Sequence, residues 1–151
     1  FKYYMGIASL IYVANRFGLP NVVPRGGKQG SSPGSFDIAD DLITVGFTEA
    51  AKVQMEGGKR AYREHAVPSD LIIRTAIDMF KQSNNFEQAV AEVAKMIRRN
   101  LIIVLISDEE QHLIDVEKGW KTTMPAGWNP LTGDPLARLT QSGIIVYPIG
   151  G

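Results

Sequence analysis

The chain has 151 residues, enough for one domain with a sizeable core and too few for two comfortable ones. Hydrophobic residues make up 44% and charged residues 21%; sixteen Lys and Arg balance sixteen Asp and Glu, which excludes a basic footprint for nucleic acid at the level of the whole chain. Cysteine is absent, which removes disulfides, thiolate metal sites and a cysteine nucleophile.

A neutral chain lacks the net self-repulsion that keeps monomers apart, so composition leans towards association. The longest uncharged run near the start, Tyr3 to Asn15, falls short of the about 20 residues that a membrane-spanning helix needs. The chain starts on Phe1 rather than methionine, which points to processing or to a longer parent chain and leaves the compartment open.

The first segment, FKYYMGIASLIYVANRFG, reads as a helix, with Tyr4, Ile7, Ile11, Ala14 and Phe17 at three- and four-residue steps and Gly18 and Pro20 closing it. Most of its other positions are apolar as well, so it calls for cover on more than one side. Residues 19–35 are dense in Gly, Pro and Ser and read as a loop or linker of unusual length. The spacing of Ile38, Leu42, Val45 and Val53 then predicts a second helix, interrupted at Gly57 and Gly58 and resumed as KRAYREHA up to Pro68.

The middle of the chain is the most periodic. Ser69 caps a helix whose inner face is Ile72, Ile73, Ala76, Ile77 and Phe80. Asn84, with Glu87 three residues on, opens another whose stripe is Phe86, Val90, Val93 and Ile97. Two such helices joined at Ser83 fold back as an αα-hairpin. LIIVLIS, residues 101–107, predicts a buried strand, and DEEQHLIDVEK a short helix with Leu113 and Val116 inward. Residues 118–135 read as irregular, PLARLTQ as one more helical turn and GIIVYPI as a final strand.

Residues suited to chemistry are sparse. The Gly27-Lys28 loop lacks the first glycine, the preceding strand and the hydroxyl that a phosphate cradle requires. Glu109 and His112 have the Glu-x-x-His spacing of helical metal sites, and Asp108, His112 and Asp115 form the candidate ligand set of a metal-dependent enzyme or metal-binding module; the second half of a dinuclear motif is missing. Neither His65 nor His112 lies near a Gly-x-Ser-x-Gly turn. Lys59, Arg60 and Arg63 make a basic trio, and Arg98 with Arg99 suits a helix C-terminus. Trp120 and Trp128 sit in a loop rich in Pro and Gly, where an indole either plugs the core or anchors a partner.

The last residues, Gly150-Gly151 after a strand-like GIIVYPI, resemble the C-terminus of ubiquitin-like sulfur carriers and modifiers. The resemblance covers those two residues and implies a carrier activated at Gly151. The β-grasp fold of that family opens strand–strand–helix, whereas this chain opens on a helix.

The expected architecture is therefore α+β: a helix-rich single domain with a central αα-hairpin and two or so short strands. It divides into an N-terminal helix or arm (1–18), a linker (19–35) and a main domain (36–151). The expected role is a non-enzymatic subunit of a larger assembly, without a cofactor, whose partners are other protein chains in a homo- or hetero-oligomer. Its expected contacts are Tyr4, Ile7 and Ile11 on the arm and Trp120 and Trp128 in the loop.

Overall fold

Thr44, Val45 and Phe47 are β-branched or aromatic, and Gly46 among them disfavours a helix interior. In the computed structural model, which describes residues 22–24, 36–38 and 43–149, they form strand β3 (Thr44–Phe47). The helix expected across residues 36–56 is thus corrected. Its N-terminal end is strand β2 (Phe36–Ile38), which pairs antiparallel with β1 (Val22–Pro24), a strand inside the expected linker. Glu49–Glu56 is a helix (α1), started by Thr48, whose hydroxyl accepts from the Ala51 amide at 3.1 Å. The expected helix over residues 1–18 lies outside the described residues.

KRAYREHA is also a strand rather than a helix: β4 (Tyr62–His65). Its one buried position holds Glu64, not an apolar residue, so the period-two pattern of a half-buried strand is hidden in the sequence. Two helices follow, α2 (Ser69–Gln82) and α3 (Phe86–Asn100), packed as the expected hairpin. Their caps differ from expectation by one residue. Pro68 takes the N-cap of α2, and Asn85, not Asn84, caps α3 by accepting from the Gln88 amide at 3.0 Å. Phe86 stays exposed and stacks on Phe80 at 5.9 Å instead of joining the α3 stripe.

Strand β5 (Ile103–Ile106) appears where expected, followed by α4 (Asp108–His112). The next turn, Leu113–Glu117, is a π-helix, in which the Lys118 amide reaches back five residues to the Leu113 carbonyl at 2.9 Å. The wider turn rotates the inward face, so Ile114 is the fully buried residue and Val116, expected inside, is exposed. A short helix α5 (Ala137–Thr140) and the two-residue strand β6 (Tyr147–Pro148) complete the chain.

The four-stranded sheet has the order β4-β5-β3-β6, with β3 and β5 parallel and the two outer strands antiparallel to their neighbours. Five α-helices and this sheet make one α+β domain among the described residues. One core lies between α2 and α3, around Ile72, Ala76, Val93, Met96 and Ile97. A second core, around Val104, Ile106, Ile114, Leu139 and Ile144, closes one face of the sheet under the C-terminal segment.

Candidate functional site

Three places hold the side chains from which a function could be built. The first lies at the C-terminal ends of β3 and β5. Ser107 caps α4 in a capping box: its hydroxyl accepts from the Glu110 amide at 3.1 Å, and the Glu110 carboxylate accepts from the Ser107 amide at 2.9 Å. The same carboxylate accepts from the Thr48 hydroxyl at 2.6 Å, so the cap of α4 is tied to the cap of α1. The signal for this lock, Ser and Glu three residues apart before the apolar Leu113-Ile114, is present in the sequence.

Next to it stands Asp108. Its amide donates to Gln54 Oε1 at 2.9 Å, Gln54 Nε2 donates back to its carboxylate, and Lys59 forms an ion pair with it. The lysine bond is the main cause that holds the Asp108 carboxyl below the usual aspartate value. Asp115, one π-turn away, accepts from Gln111, and His112 is exposed at the end of α4. Among the described residues no group of three His, Cys, Asp or Glu is placed to hold a metal ion, so the geometry lends no support to the metal reading of Asp108, His112 and Asp115.

The second place is Arg138, buried on α5. Its guanidinium donates to Glu64 at 2.6 Å, to the Ala66 carbonyl at 3.1 Å, to the Trp120 carbonyl at 2.6 Å and to the His65 carbonyl. One side chain thereby fastens the C-terminal segment to β4. Burial pushes the Glu64 carboxyl above its ordinary value; the attraction of Arg138 opposes this and the charge of Asp115 adds to it. Desolvation wins although the pair is close. Tyr62, beside them, titrates above its normal value, first through burial and then through the charges of Glu64 and Asp115.

The expected docking tryptophans rest on these cores. Trp120 packs against the sheet core and Trp128 against the helical core, both half-buried. The Trp128 indole donates to the Asp134 carbonyl at 2.8 Å, and its seat requires Gly133, where an added Cβ would lie 2.5 Å from the indole nitrogen. Arg99 is likewise engaged: it donates to the Thr132 and Gly133 carbonyls at 3.2 and 2.7 Å, which docks this loop on the end of α3. Tyr4, Ile7, Ile11, Gly150 and Gly151 lie outside the described residues.

The third place is one that the sequence reading does not anticipate. Phe47 pairs with Tyr147 and Gly46 with Pro148, and the Ile149 amide donates to the Val45 carbonyl at 3.1 Å. Directly opposed residues share a sheet face, so Val45, Phe47, Tyr147 and Ile149 lie on one side, together with Leu105, which pairs with Phe47. This is the face opposite the sheet core, which takes Val104 and Ile106. The Phe47 and Tyr147 rings lie 6.1 Å apart. Along the last segment Ile144 is 7% exposed and Ile145 67%, Tyr147 is 45% and Ile149 49% exposed with Pro148 between them exposed as well, and Val45 beside them is 40% exposed. Val45, Ile145, Tyr147 and Ile149 thus present apolar side chains to solvent at the β6 edge of the sheet, while Phe47 and Leu105 are half-buried and Ile103, farther in on the same face, is buried. Its signal in the sequence is the Ile-x-Tyr-x-Ile alternation of residues 145–149, but nothing there tells which side is covered.

No helix among the described residues is long and apolar enough to cross a membrane. Comparison with protein-family models, with curated proteins and with solved structures finds no match for this chain.

Proposed function

We propose that the chain is an interaction subunit of a larger protein assembly and that its contact surface is the open sheet face formed by Val45, Phe47, Ile145, Tyr147 and Ile149. The supporting observation is the size and order of this apolar surface. Scattered exposed apolar residues such as Phe86, Val116 and Leu131 are ordinary on any protein, whereas four exposed ones, Val45, Ile145, Tyr147 and Ile149, gathered around the half-buried Phe47 where the C-terminal segment pairs with β3, form a patch of the kind that partners bury. The zero formal net charge lets such a contact form without general repulsion. This reading keeps the assembly role expected from the sequence and moves its anchor from the indoles, which are engaged with their own cores, to the β3–β6 face.

Sedimentation of the wild type across a concentration range, beside the Ile145→Asp/Tyr147→Asp double variant, tests it. The wild type is expected to associate; the double variant is expected to sediment as a monomer with an unchanged far-UV spectrum and urea midpoint, since both residues are already exposed. A double variant that sediments like the wild type removes the face from the function.

A further inference from the structure

An Asp–Pro link is a labile point in a polypeptide, because the aspartate carries its own nucleophile and proline departs as a secondary amine with no N–H bonded into the fold. The sequence contains one such bond, Asp134–Pro135, in the turn that leads into α5. The Asp134 carbonyl oxygen accepts from two N–H groups, the Trp128 indole at 2.8 Å and the Ala137 amide at 3.1 Å. The Ala137 bond belongs to the entry of α5, whereas the indole is an added donor from the preceding loop.

The indole is aimed by its surroundings. An added Cβ at Gly133 would lie 2.5 Å from its nitrogen, and the Gly133 amide donates to the Asn129 carbonyl at 2.7 Å. Both flanks of the bond are anchored as well: Arg99 holds the Thr132 and Gly133 carbonyls, and Ala137, Arg138 and Leu139 are buried. Two N–H donors on one carbonyl oxygen stabilise the negative charge that develops there when its carbon is attacked. The attacking group lies in the same residue, so no encounter entropy has to be overcome. The Leu136 amide donates to Asp134 Oδ1 at 2.9 Å, which leaves Oδ2 to carry the proton in the acid form. Asp134 is exposed, so water reaches the bond.

We infer that the folded chain cuts itself between Asp134 and Pro135. Oδ2 of the Asp134 carboxylic acid bonds to the Asp134 carbonyl carbon and closes a ring, while Trp128 and Ala137 hold the oxyanion. The C–N bond then breaks, and its electron pair stays on the Pro135 nitrogen, which takes the carboxyl proton. Water opens the resulting cyclic anhydride and leaves Asp134 with its side-chain carboxyl and a new terminal one. The sum is the hydrolysis of one peptide bond, with no redox change. The cut segment stays in place, because Arg138 still bonds to Glu64 and to the His65, Ala66 and Trp120 carbonyls. The product is a nicked domain with a new amino terminus at Pro135.

The test holds the purified full chain at mildly acidic pH, to supply the acid form, under conditions where circular dichroism shows the native fold. Samples are followed over days by denaturing mass spectrometry. The expected products are residues 1–134 and 135–151, whose masses sum to the intact mass plus one water. Unfolding the chain in urea at the same pH is expected to slow the cut at least about tenfold, as is Trp128→Phe, which keeps a ring and removes the donor. Asp134→Ala is expected to abolish it. A native chain that stays whole would overturn the inference. A cut that runs at an equal rate in urea, or in folded Trp128→Phe, would overturn it too, since the lability would then be that of any Asp–Pro bond. The urea arm needs no variant, so the inference stays open to refutation where Trp128→Phe does not fold.

Discussion

The two faces of the sheet are built from neighbouring residues yet have opposite fates. On one, Val104, Ile106 and Val146 meet Ile114, Leu139 and Ile144, and Arg138 fastens the covering segment through Glu64 and His65 of β4 and the carbonyls of Ala66 and Trp120. On the other, Val45, Tyr147 and Ile149 stand half-exposed with no such fastening. The difference teaches that a short strand such as β6 is held from one side only. Its inner residues supply the stability of the C-terminal segment, and its outer residues remain available to a partner.

The strongest way to break the closed face is to remove its fastener. Arg138→Ala leaves Glu64 buried without its partner and three carbonyls without a donor, and is expected to cost about 3–5 kcal/mol in urea unfolding. Adding Glu64→Leu recovers part of this loss, because the carboxylate is no longer stranded. A loss below about 1 kcal/mol for the single variant would mean that the closed face does not depend on Arg138.

A smaller effect is expected where the two faces meet. A Cβ added at Gly46 would lie 2.5 Å from Val146 Cγ1 and 2.7 Å from the Tyr147 carbonyl oxygen, and the latter is backbone and cannot step aside cheaply. Gly46→Val is expected to cost about 1–3 kcal/mol and to speed hydrogen exchange of the Ile149 amide, which bonds to β3. Unchanged exchange at Ile149 would show that β6 tolerates the displacement.

The mildest probe is pH. Glu64 titrates above its ordinary 4.5 when folded, so the folded chain binds its proton more tightly than the unfolded one. Its contribution to stability is therefore full below about pH 4.5 and is lost as pH climbs through the raised folded value. Denaturation profiles should show a flatter decline above pH 4.5 in Glu64→Gln than in the wild type, and superimposable profiles would contradict the burial argument.

The αα-hairpin and β5 were legible because their apolar residues repeat without interruption, from Ile72 to Phe80, from Val90 to Ile97 and from Leu101 to Ile106. Strand β4 was hidden because its inward residue is a carboxylate, sensible only once Arg138, seventy-four residues later, is known to meet it. Strand β3 was hidden because Ile38, Leu42 and Val45 happen to fall at helical steps. The inward residue after α4 was misjudged because no feature of LIDVE announces a π-turn, which buries Ile114 and exposes Val116. The open face was half-legible: alternation shows that Ile145, Tyr147 and Ile149 share a side, but which side the chain covers is decided by Leu139 and Ile114 from distant segments.

The most direct test of the two-faced sheet compares adjacent residues, Ile144→Ala and Ile145→Ala, by urea unfolding and by sedimentation. Ile144→Ala should cost about 2–5 kcal/mol and leave association of the folded fraction intact, whereas Ile145→Ala should cost under about 0.5 kcal/mol and weaken association. Equal stability losses, or full association by Ile145→Ala, would contradict the account.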